Sequence, residues 1–353
     1  MKIAFIVPAL VNKGPVIVAK DLCDCLVKWG HDCTVFYFDE VDSELAFPCV
    51  IQRINFWRKI DLNQFDVVHI HCLRPAIYVW LHKHFFKKPI WVSTLHQPLT
   101  MEAYRLVYNC FISFCLSKIQ PIFYNAFDCN VVLSKVQEKL SLPLLSTPLE
   151  VIGNGRNFET MPVVNEEDVS FFEKHSKCKI IGTISVVIKL KGLEQIVRAL
   201  VLLPKEYIYV CIGDGCDLGR LQGLAEQLGV ANRCYWLGNR RNAISYYKYF
   251  DVFALCSYSE GFPLALIEAA ANGCSCVLSD IEILKVLVPE DYVCFYKLED
   301  VHSLAEKLRE AYENKGRKGN SIQAYYKKEW TADRMASRYL ALYKKLIKEK
   351  YDC

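Results

Sequence analysis

Two glutamates, Glu260 and Glu268, stand with seven residues between them around the run Gly261-Phe262-Pro263-Leu264, and two lysines, Lys189 and Lys191, lie just ahead of Gly192. The glutamate segment suits one physical task. Gly261 and Phe262 leave backbone amides bare where a helix begins, Pro263 fits the first turn because it has no amide to satisfy, and the helix dipole turns partial positive charge toward a ligand. A diphosphate is the natural occupant of such a terminus. Glu268, the fifth residue after Pro263, is placed to accept both hydroxyls of a ribose, as acidic residues do in dinucleotide-binding folds. Glu260 precedes the helix and is expected nearer a sugar. Taken singly, a loop glutamate and a helix glutamate are most often solvated charges. Here they flank the start of a helix that follows the expected strand Asp251–Leu255.

His71 and His96 each close an apolar run, Val67–Ile70 and Ile90–Leu95. In open α/β sheets ligands bind beyond the carboxyl ends of strands, so both histidines stand where chemistry is expected. Taken alone, a histidine at a strand end is more often structural.

Positioning such residues needs parallel strands joined by helices, and short β-rich runs alternate with helix-length periodic segments along the whole chain. The strands expected first are Lys2–Val7, Cys33–Tyr37, Val67–Ile70, Ile90–Leu95, Asn130–Leu133 and Leu149–Ile152, with a helix over Met101–Phe123 among the connections. Between Asn154 and Cys178 the pattern lapses into polar and acidic residues. The expectation is an α/β protein of two Rossmann-like, doubly wound domains: residues 1–155, a linker at 156–178, a second domain at 179–330, and a tail at 331–353 that crosses back to brace the first. The length of 353 residues suits two such domains.

Composition narrows the function further. The chain is 52% hydrophobic and 23% charged with a formal net charge of +4, and no basic stripe is interleaved with aromatics, so nucleic acid is not an expected partner. Basic residues cluster at Arg53, Arg58 and Lys59 and at Lys83, His84, Lys87 and Lys88, as a solvated face or as a surface for anionic lipid. The seventeen cysteines are scattered through apolar runs without paired CxxC units, which suits core residues in a reducing compartment. Pro8 interrupts the first apolar stretch, no cleavage-type site follows, and no run of eighteen apolar residues occurs, so a cytoplasmic chain without a membrane span is expected. No Asp-x-Asp pair at a strand end and no helical histidine pair is spaced to hold a metal. The segment Tyr104–Phe127 reads as a buried helix of the first domain, yet it carries more large apolar residues than one buried face needs, and with nearby lysines the alternative is a second contact with the lipid interface.

The second half of the chain resembles the family-four glycosyltransferases of the GT-B fold. The resemblance rests on Glu260 and Glu268 around Gly261-Phe262-Pro263, and on Ile212-Gly213-Asp214-Gly215, Leu237-Gly238, Asp251-Val252-Phe253 and Asn272-Gly273. The first half agrees more loosely, through Asn12-Lys13-Gly14, the runs ending in His71 and His96, and Val151-Ile152-Gly153-Asn154-Gly155. The resemblance implies two domains facing a cleft. It also implies transfer of a sugar, with retained configuration and without metal, from a nucleotide-diphosphate donor, expected to be UDP-linked, to a lipid-linked glycan at the cytoplasmic membrane face. Glu260, Lys191 and His96 become the expected catalytic groups of a built site, with His96 a donor-sugar contact and His71 on the acceptor side. Glu268, Gly261, Phe262, Leu264, Lys189, Gly14, Asn154 and Gly213 become the expected donor contacts.

One departure stands out: where family members carry an arginine beside the lysine, this chain has Val186 in Ser185-Val186-Val187-Ile188-Lys189. Lys189 is the nearest substitute, a point charge without the bidentate fork. That loss keeps a non-catalytic sugar-nucleotide-binding subunit in view, alongside a sugar-nucleotide epimerase.

Overall fold

The computed structural model describes residues 1–41, 45–105, 108–158, 163–240 and 243–352. The chain divides into two compact units, Met1–Asn157 with Trp330–Cys353, and Phe158–Glu329.

The first unit runs β1 (Lys2–Ala9), α1 (Gly14–Lys28), β2 (Asp32–Asp39), β3 (Val50–Arg53), β4 (Val67–His71), α2 (Leu73–His82), β5 (Ile90–Leu95), α3 (Met101–Arg105), α4 (Cys110–Tyr124), β6 (Cys129–Val132), α5 (Lys135–Ser141) and β7 (Leu149–Val151). Its seven strands are all parallel, in the order β3-β2-β1-β4-β5-β6-β7. Central strands such as Ile3–Val7 and Val67–His71 are buried on both faces, which is why they read as continuous apolar runs rather than alternating ones. In place of the single helix expected over Met101–Phe123 there are two, because Asn109 accepts from the amide of Ile112 and caps a new start. Leu106 and Val107, within that expected helix, lie outside the described residues.

The second unit runs α6 (Glu166–Lys174), β8 (Lys179–Ile184), α7 (Glu194–Leu202), β9 (Tyr207–Ile212), α8 (Leu218–Gln227), β10 (Cys234–Gly238), β11 (Val252–Leu255), α9 (Leu264–Ala271), β12 (Ser275–Ser279), α10 (Glu282–Leu287), β13 (Cys294–Tyr296), α11 (Val301–Glu313) and α12 (Lys315–Glu329). Its six parallel strands follow the order β10-β9-β8-β11-β12-β13. Both units are therefore doubly wound Rossmann-like sheets.

One expected boundary shifts. The segment 156–178 is not a free linker, since α6 belongs to the second unit: Phe172 stacks on Tyr249 at 4.2 Å, and buried Asp168 takes Arg240 Nε at 2.6 Å and Nη2 at 3.0 Å. Residues 159–162 of that segment lie outside the described residues. The last helix, α13 (Ala332–Tyr351), is capped by Thr331 and returns to the first sheet. There Tyr343 Oη lies 2.7 Å from His69 Nδ1, and Tyr339 Oη lies 2.8 Å from Thr94 Oγ1. Gly155 admits this return, because a Cβ on it would stand 2.2 Å from the Thr331 carbonyl oxygen.

Candidate functional site

β8 and β11 are neighbours at the point where the strand order of the second sheet reverses, the place where open α/β sheets bind ligands. The loop leaving β8 carries Lys191 and the loop leaving β11 carries Glu260. Gly192 brings the loops together. It adopts φ +59°, and a Cβ there would lie 2.2 Å from the Cys256 carbonyl oxygen, so only glycine lets the turn Lys189–Lys191 rest against the end of β11. Two bonds then stitch the loops: Tyr258 N to Leu190 O at 2.9 Å and Gln195 Nε2 to Cys256 O at 3.0 Å.

Held in this way, Lys191 Nζ donates to Glu260 Oε1 at 2.7 Å, and Ser257 Oγ donates to the same oxygen at 2.6 Å. The Glu260 side chain is 8% exposed and that of Lys191 is 23% exposed. Among the described residues nothing bonds Oε2, so the carboxylate is anchored through one oxygen and keeps the other for a ligand. Removing either partner of a fully buried pair costs about 3–5 kcal/mol, and less at this half-open margin.

Directly after Glu260, α9 starts at Leu264, with Pro263 just ahead of it as the capping residue rather than inside the first turn. Gly261 and Leu264 are half-buried and Phe262 is buried. One turn on, Glu268 Oε2 accepts from Tyr247 Oη at 3.2 Å. Lys191, Glu260 and the amino end of α9 thus assemble a cation, an anchored carboxylate and a positive helix terminus within one unit.

The remaining expected donor contacts of this unit fare differently. Gly213, at φ +133°, packs so closely on the loop after β8 that a Cβ would lie 1.9 Å from Ser185 O, and its amide already donates to Gly238 O at 2.9 Å. The structure therefore gives Gly213 a packing role. Val186 is 58% exposed, and Lys189 is exposed on the same turn as Lys191.

Three expected residues belong to the first unit. Gly14 is the first residue of α1, and Asn154 is buried just past β7. His96 follows β5, and its Nε2 lies 2.8 Å from Nδ1 of His71 at the end of β4. His71, expected on the acceptor side, is fully buried behind it. Burial pushes His96 and His69 down to about 3, with the His96 charge adding to the effect on His69, and pushes His71 well below the ordinary histidine range. All three rings are neutral at working pH. A cavity of about 470 Å³ at the carboxyl ends of β2 and β3 had no sequence signal; Phe38, Asp39, Arg53, Asn55, Trp57 and Arg74 line it. Among the described residues, no group of three His, Cys, Asp or Glu side chains is arranged to hold a metal ion.

Two doubly wound units, one with a lysine–carboxylate pair and a helix terminus at its switch point, form the architecture of the GT-B glycosyltransferases. The pattern described as Glycosyl transferases group 1 matches residues 164–330, and that of Glycosyltransferase Family 4 matches residues 13–160. The chain belongs to the family-four, group 1 glycosyltransferases, and its fold is GT-B. It is 25% identical over 368 residues to the O-antigen biosynthesis glycosyltransferase WclY of Escherichia coli, covering 99% of each chain. It is 24% identical over 280 residues to the UDP-Gal:alpha-D-GlcNAc-diphosphoundecaprenol alpha-1,3-galactosyltransferase of Escherichia coli, covering 72% of this chain and 68% of that one. Among solved structures it resembles Anabaena HepE in complex with UDP and glucose, with a TM-score of 0.78, 16% identity, and coverage of 97% of this chain and 99% of that one.

Proposed function

We propose that this glycosyltransferase moves a sugar from a UDP-linked donor to a lipid-linked glycan in cell-surface polysaccharide assembly, with retained configuration and without a metal ion. The observation that carries the reading is the Lys191–Glu260 pair beside the amino end of α9. Negative charge grows on the diphosphate as the sugar leaves, and a preorganised ammonium and helix terminus stabilise it there. With that charge met by the protein, a divalent ion has no task left. Glu260 holds Lys191 in place and offers Oε2 to the donor. Glu268 accepts the ribose hydroxyls, and His96, a neutral ring, hydrogen-bonds the sugar rather than acting as a cation. Retention then follows from attack on the donor's own face, a matter of positioning. Lys189 takes the place of the arginine absent at Val186. The UDP-galactose donor and diphosphoundecaprenol-linked acceptor of the Escherichia coli galactosyltransferase support a UDP donor and a polyprenyl-diphosphate acceptor here. Membership of the family sets the epimerase reading aside.

The working place is inferred to be the cytoplasmic membrane surface. No helix among the described residues is long and apolar enough to cross a membrane. Helix α4, however, is largely inverted: it buries Ser113, Ser117 and Gln120 along with Pro121 and Tyr124, and exposes Phe111 (76%), Phe114 and Ile122. Its inward polar groups are satisfied locally, Ser113 Oγ by Asn109 O at 2.8 Å and Gln120 Oε1 by Tyr104 Oη at 2.8 Å. Half-exposed Trp80 packs on Phe123, and Lys59 lies over Phe85, extending the apolar face with interfacial residue types. Lys118 and Lys87 are exposed and suit anionic headgroups. Lys88, expected to join them, is paired with Asp66 at 3.0 Å instead.

Isothermal titration with UDP in the presence of EDTA tests the donor half of the reading. Binding that survives chelation and is lost in Glu268→Ala supports it, and binding that requires a divalent ion overturns it.

A further inference from the structure

The carboxylate of Glu268 has a buried aromatic partner that the sequence did not point to. Tyr247 lies in the 3₁₀ stretch Ala243–Tyr249 ahead of β11, and its hydroxyl sits 3.2 Å from Glu268 Oε2 and 3.0 Å from Ala265 O. The ring is fully buried and cannot swing away. It meets Phe250 and Phe253 edge to face, with centroids 5.8 Å and 5.5 Å apart, and its carbonyl accepts from Cys274 Sγ at 3.0 Å. Phe250 is itself seated against Gly182, where a Cβ would fall 2.1 Å from the ring. The other two tyrosines of the stretch serve other groups: Tyr246 donates to Asp168, and Tyr249 stacks on Phe172. Burial, then the Glu268 charge, push the Tyr247 phenol well above its ordinary value, so it keeps its proton.

We propose that Tyr247 is a positioning residue for the donor nucleotide: by donating to Oε2 it fixes the rotation of the Glu268 carboxylate, which then accepts the ribose 2′- and 3′-hydroxyls without paying rotamer entropy on binding. The inference rests on the reading of Glu268 as the ribose acceptor. A phenol has one proton for two acceptors, and the charged one makes the stronger bond. The Ala265 carbonyl, in the first turn of α9, marks where the hydroxyl must sit to reach the carboxylate one turn later.

The effect of Tyr247 must therefore be confined to the ribose hydroxyls, and a ligand cycle isolates it. Affinities for UDP and for 2′,3′-dideoxy-UDP are measured on the full chain, on Tyr247→Phe and on Glu268→Gln, with thermal melts confirming that each variant folds. The proposal expects Tyr247→Phe to weaken UDP about tenfold while leaving dideoxy-UDP unchanged, and to add little on top of Glu268→Gln. Equal weakening of both nucleotides, or of neither, overturns it. If the unsubstituted protein does not distinguish UDP from dideoxy-UDP, the ribose reading of Glu268 itself fails and takes this inference with it.

Discussion

Lys191 Nζ and Glu260 Oε1, 2.7 Å apart on loops from two neighbouring strands, are joined only because Gly192 lets one loop lie against the other. Gly192→Ala would place a Cβ into the Cys256 carbonyl at a left-handed position. It is expected to lower turnover by separating the loops even though no charged group is removed, alongside a stability loss of about 1–3 kcal/mol. Turnover and urea midpoints measured together check this, and unchanged turnover would show that the approach of the loops is not needed.

Lys191→Ala is expected to depress kcat about 10²- to 10³-fold while changing donor affinity much less, because charge on the leaving phosphate is greatest in the transition state. A loss confined to donor affinity would make Lys191 an anchor and nothing more.

Lys189 stands exposed on the turn that carries Lys191. If it replaces the absent arginine, Lys189→Ala should damage turnover nearly as much as Lys191→Ala, and adding Val186→Arg should restore part of it. A silent Lys189→Ala removes Lys189 from the reaction.

His69, His71 and His96 give the first unit a signed pH dependence. Their folded values lie below the free-histidine value of about 6.5, so below that pH the unfolded chain binds more protons than the folded one. Stability is complete above about pH 6.5 and falls as pH drops toward 3. Asp21, raised to about 6 by burial despite Arg156 at 3.0 Å, acts in the opposite sense, but it is one group against three. Urea midpoints should rise between pH 4.5 and 7, and a flat profile would contradict the neutral histidine cluster.

Flotation with vesicles containing anionic lipid tests α4. The chain should float at low salt. Binding should weaken with added salt and with Lys118→Glu or Lys87→Glu, and should be lost with Phe111→Asp and Ile122→Asp, while UDP affinity stays unchanged. A chain that remains in the soluble fraction at low salt would contradict a membrane role for the inverted face.

The sheets and the glutamate segment were legible because buried parallel strands write continuous apolar runs and because a helix terminus after such a run has few other uses. β3 was not, since Val50–Arg53 is an edge strand exposed at every position and carries no burial signal. The segment holding α6 read as a linker because only Asp168 and Phe172 of that helix are buried. Periodicity marked α4 as rich in apolar residues yet could not say which face turns inward. Tyr247 was hidden among Tyr246 and Tyr249, and only the fold selects the one that reaches Glu268.

The most direct measurement is a transfer assay in EDTA, with UDP-sugars offered singly together with a polyprenyl-diphosphate-linked amino sugar as acceptor. Mass spectrometry detects the product and NMR assigns its new glycosidic bond. The account predicts that one UDP-sugar is transferred at full rate without metal, that its anomeric configuration is kept, and that Lys191→Ala slows product formation about 10²- to 10³-fold. Transfer only after a divalent ion is restored, or an inverted linkage, would contradict it.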